Sequence, residues 1–163
     1  MLLFIFFLFQ DETIQLVRSN ALAGVYEFKS VSEGLEAYRW FQSFEWKQDG
    51  DIVTFKGLIN DEQAIKAFED RHKYTLNASM KAIQLAPNYD LDDDKDMLSF
   101  TIHFLINPQK DAFKVKSGSL GVRSKKGEWR EKTFTDKALL EVIKGCYRQR
   151  DPYMSLIEGL PFK

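Results

Sequence analysis

The chain has 163 residues, of which 44% are hydrophobic and 14% aromatic, and this is enough to build one core in one domain. Its 23 Lys and Arg nearly balance its 24 Asp and Glu. Because affinity for nucleic acid depends on clustered positive charge, this composition argues against a nucleic-acid partner.

The run Met1–Phe9 is the most hydrophobic stretch of the chain, and polar residues follow it at once. It is too short to span a bilayer, which needs about 20 residues, but it has the length of the apolar part of a signal peptide. We therefore expect residues 1–10 to be an export signal and the protein to be periplasmic or secreted. Two alternatives are a membrane anchor and a buried element of the fold; the latter would make the protein cytoplasmic.

Two helices are predicted next. Residues 12–22 carry Ile14, Val17 and Leu22 among polar neighbours, with Asn20 as terminator. A second helix is predicted at about residues 31–43. Ser30 and Glu33 have the spacing of a capping box for this helix. The residues after the cap form a wide apolar stripe at helical period, which consists of Val31, Leu35, Ala37, Tyr38, Trp40, Phe41 and Phe44.

A hairpin follows, because residues 44–47 alternate, residues 48–51 supply turn chemistry, and residues 52–59 are rich in β-branched and aromatic side chains. Asn60 then begins a further helix with acidic residues in its first turn and basic residues at its end. After it, a strand is favoured at residues 82–85 and a loop at residues 87–96.

The second half of the chain predicts antiparallel strands. Phe100–Ile106 is a buried strand, residues 107–111 form a turn, and Gly118–Gly121 is interpreted as a hairpin bend. Further strands are expected at residues 113–116, 119–123 and 129–133. Residues 11–163 are therefore predicted to form one α+β domain, with an antiparallel sheet of about four to six strands packed against three to four helices.

A closing helix begins at Thr135 or Asp136. Its inward side chains are predicted to be Leu139, Leu140, Ile143 and Tyr147. Cys146 shares this apolar face, so we expect a buried, inert thiol.

Few residues of the sequence are candidates for a catalytic or metal-binding site. Alternation places Thr101, His103 and Leu105 on one face of their strand. We favour a structural role for His103 over a general base, and His72 is expected at a helix end. The acidic loop Asp90–Asp96 spaces its carboxylates as calcium loops do but lacks their glycine and closing glutamate, so a solvated loop is favoured. No catalytic, cofactor or metal site is assigned.

Several segments, taken in order, resemble a group of small bacterial exported proteins and lipoproteins of uncharacterised function. They are Ile14–Leu22, Ser30–Tyr38, Trp46–Lys47, Ile52–Gly57, Phe100–Asn107 and Phe113–Val115. The group carries "VKNG-L" and "TVGEAF–YF" helices, a "W-K" turn, a "VEFKG" strand and an "IQFKIN…TF" hairpin. Ser32 stands where the group has glycine, and no cysteine near the N-terminus can accept a lipid. The resemblance implies an envelope location and no catalytic residue.

The favoured function is a non-enzymatic exported domain that binds a protein or an envelope component through its sheet face or an aromatic patch. One alternative is an inhibitor or immunity protein. Another is a ligand-binding or enzymatic domain with a cavity near His103. The available aromatic anchors, most of them expected in the core, are Tyr38, Trp40, Trp46, Trp129 and Tyr153.

Overall fold

The computed structural model describes residues 12–25, 29–59, 98–123 and 129–150, with the backbone alone at residues 122–123 and 129–130. The helices are α1 (residues 12–19), α2 (Val31–Leu35) and α3 (Asp136–Tyr147). The strands are β1 (Phe41–Asp49), β2 (Ile52–Ile59), β3 (Leu98–Ile106), β4 (Phe113–Arg123) and β5 (Trp129–Thr133). The predicted mixed α+β class is confirmed. Predictions that fall outside the described residues concern residues 1–10, the helix from Asn60, His72, residues 82–85, the Asp90–Asp96 loop and Tyr153.

The five strands form one antiparallel sheet in which spatial order equals chain order, so β1 and β5 are its two edges within the part of the chain that the structure describes. The predicted hairpin is confirmed: Asp49 pairs with Ile52 across a two-residue turn. Gly50 in this turn has φ +56°, a left-handed conformation that glycine adopts without steric cost.

One face of the sheet carries the core. Val53, Phe55, Phe100, Ile102 and Phe104 alternate along β2 and β3 and are fully buried. Each such side chain stabilises the fold by roughly 1.5–3 kcal/mol. Helix α3 lies on this face, where it contacts β4 and α2. The alternation predicted for residues 100–106 is thereby confirmed.

The helix predicted at residues 31–43 is wrong beyond its first turn, because α2 ends at Leu35. Two single turns follow, in which the Tyr38 N–H donates to Leu35 O at 3.1 Å and the Phe41 N–H donates to Tyr38 O at 3.0 Å. Phe41 then pairs with Ile59 and starts β1. Sheet pairing thus overrides the local helical period. The inward face was nevertheless predicted correctly, since the buried side chains include Val31, Leu35, Tyr38 and Trp40.

The hairpin bend predicted at residues 118–121 is also wrong, because β4 continues straight through it. A β-bulge lies just before this stretch, where Ser117 pairs with His103 but Val115 pairs with Phe104. One extra residue, Lys116, is therefore accommodated in β4.

Gly118 is needed for the packing of α3 on the sheet and not for a bend in the chain. A Cβ built on Gly118 would collide with the Leu139 side chain of α3 and lie 3.1 Å from the carbonyl oxygen of Thr101. The glycine therefore lets α3 approach the sheet closely.

The first and last helices match their predictions. Asn20 follows α1, and its side-chain amide donates to Leu16 O at 2.8 Å. The Thr135 side chain accepts from the backbone of α3, as an N-cap does. Cys146 is fully buried, and burial raises the pKa of its thiol, as expected for an unreactive cysteine. Leu139, Ile143 and Tyr147 are buried and Leu140 is partly buried.

Candidate functional site

The face of the sheet opposite the core, which we call the outer face, carries two polar rows across its middle and the half-buried Ile52, Leu58 and Leu105 beside them. Strand pairing aligns its residues in rows that run across the strands. The first row is Lys47, Thr54, His103 and Ser117. The second row is Glu45, Lys56, Thr101, Ser119 and Thr133. Hydroxyl groups and charges therefore make up these two rows, whose backbone is held by the pairing of the strands.

His103 lies near the centre of this face. Its Nδ1 shares a hydrogen bond of 2.9 Å with the Thr54 hydroxyl on β2, and both side chains are half-buried. Within the described residues, no carboxylate is hydrogen-bonded to the ring. The pair joins an imidazole to a hydroxyl and ties β2 to β3.

A second contact crosses from β4 to β5, where the Ser119 hydroxyl donates a short hydrogen bond to the Glu131 carboxylate. Ser119 is only 5% exposed and Ser99, on the same face, 2%. The outer face therefore holds some of its polar groups in fixed positions away from bulk water, where a hydrogen bond is stronger than at an open surface.

A charged cluster joins the helices to the first strand. Arg18 of α1 binds Glu36 in a bidentate pair, with Nε to Oε1 at 2.7 Å and Nη2 to Oε2 at 3.0 Å. The indole N–H of Trp46 on β1 donates to the same Oε1 at 2.9 Å. The hydrogen bonds that Arg18 donates to Glu36 raise the pKa of Arg18. This cluster fixes the Trp46 ring, which lies 4.9 Å from the ring of Phe55 between centroids.

The predicted aromatic anchors divide between core and surface. Tyr38 and Trp40 are buried, whereas Trp46 is half-buried. Phe44 is 42% exposed and is the one exposed large hydrophobic side chain in the described part of the chain. Exposure of Phe44 was not predicted, because its spacing fits the apolar stripe of a helix.

The polar rows were only partly foreseen. Thr101 and His103 were assigned to one face from alternation, but Thr54, Lys56 and Ser119 were not singled out. Their alternation with buried neighbours along β2 and β4 was the signal available. Glu36 gave no such signal, because its partners are 18 and 10 residues away in sequence.

Across residues 12–25, 29–59, 98–123 and 129–150, no three His, Cys, Asp or Glu side chains are grouped as metal ligands. The same ranges contain no helix of sufficient length and hydrophobicity to cross a membrane.

Comparison of the chain with protein-family models, curated proteins and solved structures finds no match. The resemblance to exported bacterial proteins therefore stays a hypothesis.

Proposed function

We propose that this protein is a non-enzymatic binding domain and that a protein or a component of the cell envelope docks on its outer face. The observation that carries the proposal is the pair of polar rows centred on Thr54, His103 and Thr101. They combine donors, acceptors and both signs of charge on one rigid surface.

The proposal is supported by the fact that several side chains of the outer face are held in place before a partner binds. Ordering a mobile side chain makes the free energy of binding less favourable, by roughly 0.5–1.5 kcal/mol for each side chain. The Thr54–His103 and Ser119–Glu131 hydrogen bonds already restrain Thr54, His103 and Glu131 on the outer face, with the buried Ser119 as the anchor of Glu131. A partner with complementary polar groups would therefore bind without ordering them again.

The experiment uses the purified protein as bait for an extract of its own host, with bound proteins quantified by mass spectrometry. Thr101→Arg places a long cation in the centre of the outer face, and Lys137→Glu changes an exposed residue of α3 as the control. We expect a defined set of partners to bind the wild type and the control but not Thr101→Arg. Equal binding by all three proteins would contradict the outer face as the docking surface.

We also propose that the protein acts outside the cytoplasm, as one α+β domain of residues 11–163 with three to four helices. The support is the apolar run Met1–Phe9, which has the length of a signal-peptide core. Fractionation of the native host with intact-mass measurement tests it. We expect recovery outside the cytoplasm with the first segment removed. A full-length cytoplasmic product would contradict export.

A further inference from the structure

The edge of β1, where the two polar rows of the outer face end in Glu45 and Lys47, offers a second mode of contact. Within the described residues, β1 pairs with β2 on one side only. It has 9 residues, whereas a typical strand has about 5–6. An edge strand presents a row of backbone N–H and C=O groups that can pair with another strand.

The side chains in the first half of this edge are exposed. Gln42, Ser43, Phe44 and Glu45 are all exposed. The one irregularity in the pairing lies between Phe41 and Ser43, at the start of the strand. The remainder of β1 keeps a regular register, so a strand could be added beside it without distortion.

Phe44 gives this edge an apolar component. Its ring stacks on that of Phe55 at 6.0 Å between centroids, yet the side chain stays 42% exposed. Next along the same face, Trp46 is held by its hydrogen bond to Glu36. A strand placed beside β1 would cover Phe44 and extend the aromatic surface over the new strand.

The charges of β1 are self-complementary in one antiparallel register. With a two-fold axis at Trp46, Glu45 of each copy lies opposite Lys47 of the other, and Phe44 lies opposite Gln48. An axis at Glu45 or at Lys47 would instead place like charges opposite each other, which destabilises strand pairing. Only the first of these registers brings two pairs of opposite charge together.

This register leaves both core faces on the same side of the combined sheet, because Glu45 and Lys47 both belong to the outer face. In a single copy these two side chains form an exposed ion pair at 3.0 Å. An exposed ion pair of this kind contributes little to the stability of a single copy. Breaking it to form pairs between two copies therefore costs little free energy.

We propose that the protein forms a homodimer in which β1 pairs antiparallel with β1 of a second copy about an axis at Trp46. The dimer has a continuous sheet across both copies, two Glu45–Lys47 pairs between them, and Phe44 covered. This inference does not depend on the identity of the outer-face partner.

The test measures molar mass by light scattering and sedimentation over a series from about 1 μM to about 1 mM. Lys47→Glu places Glu45 opposite a second carboxylate at both pairs, and we expect it to raise the dimer dissociation constant roughly tenfold or more. The charge exchange Glu45→Lys with Lys47→Glu restores both pairs and should restore the dimer. Lys137→Glu on α3 is the charge-matched control and should dimerise as the wild type does.

Far-UV circular dichroism of every variant establishes that it is folded. A wild type that stays monomeric over the whole series would overturn the proposal. Dimers of Lys47→Glu as stable as those of the wild type would also overturn it, since the register at Trp46 requires this charge. Host partners captured by a monomeric protein would leave the proposed function standing while excluding the dimer.

Discussion

Gly34 of α2 lies directly against the ring of Tyr147 of α3, and a Cβ on Gly34 would overlap that ring. The contact lets the two helices pack closely at this point. It explains why glycine occupies this helical position, although alanine has the more favourable helix propensity by roughly 1 kcal/mol.

Gly34→Ala is therefore expected to destabilise the protein by about 1–3 kcal/mol, because overpacking outweighs the gain in helix propensity. Urea denaturation measures the change. In a double-mutant cycle with Tyr147→Leu, the effect of Gly34→Ala should shrink, because the smaller side chain makes room for the methyl group. An alanine variant as stable as the wild type would contradict the close contact.

Gln149 joins the end of α3 to the segment after α2. Its side-chain amide donates to Ala37 O at 3.0 Å and accepts from the Arg39 N–H at 2.9 Å. Its backbone has φ +55°, a conformation in which a residue other than glycine is strained by roughly 1–2 kcal/mol. Arg150 N–H to Gly145 O and Gln149 N–H to Cys146 O complete a Schellman cap.

Two substitutions separate these effects. Gln149→Ala loses both side-chain hydrogen bonds and keeps the strain, so we expect about 1–3 kcal/mol of destabilisation. Gln149→Gly loses the same bonds but relieves the strain, and should lie between the alanine variant and the wild type. The unfolding midpoint in urea ranks the three proteins. A glycine variant more stable than the wild type would mean that the side-chain bonds contribute less than the strain.

Glu36 supports Trp46 as well as Arg18. Glu36→Ala removes all three hydrogen bonds of the cluster, and we expect it to destabilise the protein by about 1–3 kcal/mol, a range kept low because Arg18 is partly exposed. Glu141→Ala is the control, because Glu141 pairs with Lys144 at an exposed surface; its midpoint should hardly move. Similar losses in the two variants would contradict a special role for Glu36.

The capping box of α2 predicts a dependence on pH. The Ser30 backbone N–H, and then its hydroxyl, hold the pKa of Glu33 below its ordinary value. A depressed pKa means that the carboxylate contributes its full stability above the ordinary Glu pKa of about 4.3 and loses it as the pH falls through the lower value in the folded protein. The stability difference between wild type and Glu33→Gln should therefore be largest at neutral pH and vanish in acid. A constant difference would exclude this linkage.

Sequence patterns predicted most of the described strands and the faces they bury, because alternation and turn chemistry are local properties. Burial of Tyr38 and Cys146 was predicted for the same reason. Two elements could not be predicted in this way. Phe41 leaves the helix because it pairs with Ile59, and Gly118 is needed because Leu139 packs on it. Both depend on residues distant in sequence.

The candidate site shows the same division. Alternation placed His103 and Thr101 together, since that requires only the period of a strand. The partner of His103 is Thr54, 49 residues earlier in the chain, and only the register of β2 against β3 brings the two together. The edge position of β1 likewise follows from sheet order, which no local pattern specifies.

The order of the strands also bears on how the chain folds. Ile59 and Leu98 are paired neighbours, although residues 60–97 separate them in sequence. Strands β1 and β2, and likewise β3, β4 and β5, are joined by short connections. Loop closure becomes less favourable as the connection lengthens, and pairings between distant segments form slowly. We expect two local units, β1–β2 and β3–β5, to form first. Pairing of β2 with β3 is then the late step that completes the sheet and creates the Thr54–His103 contact.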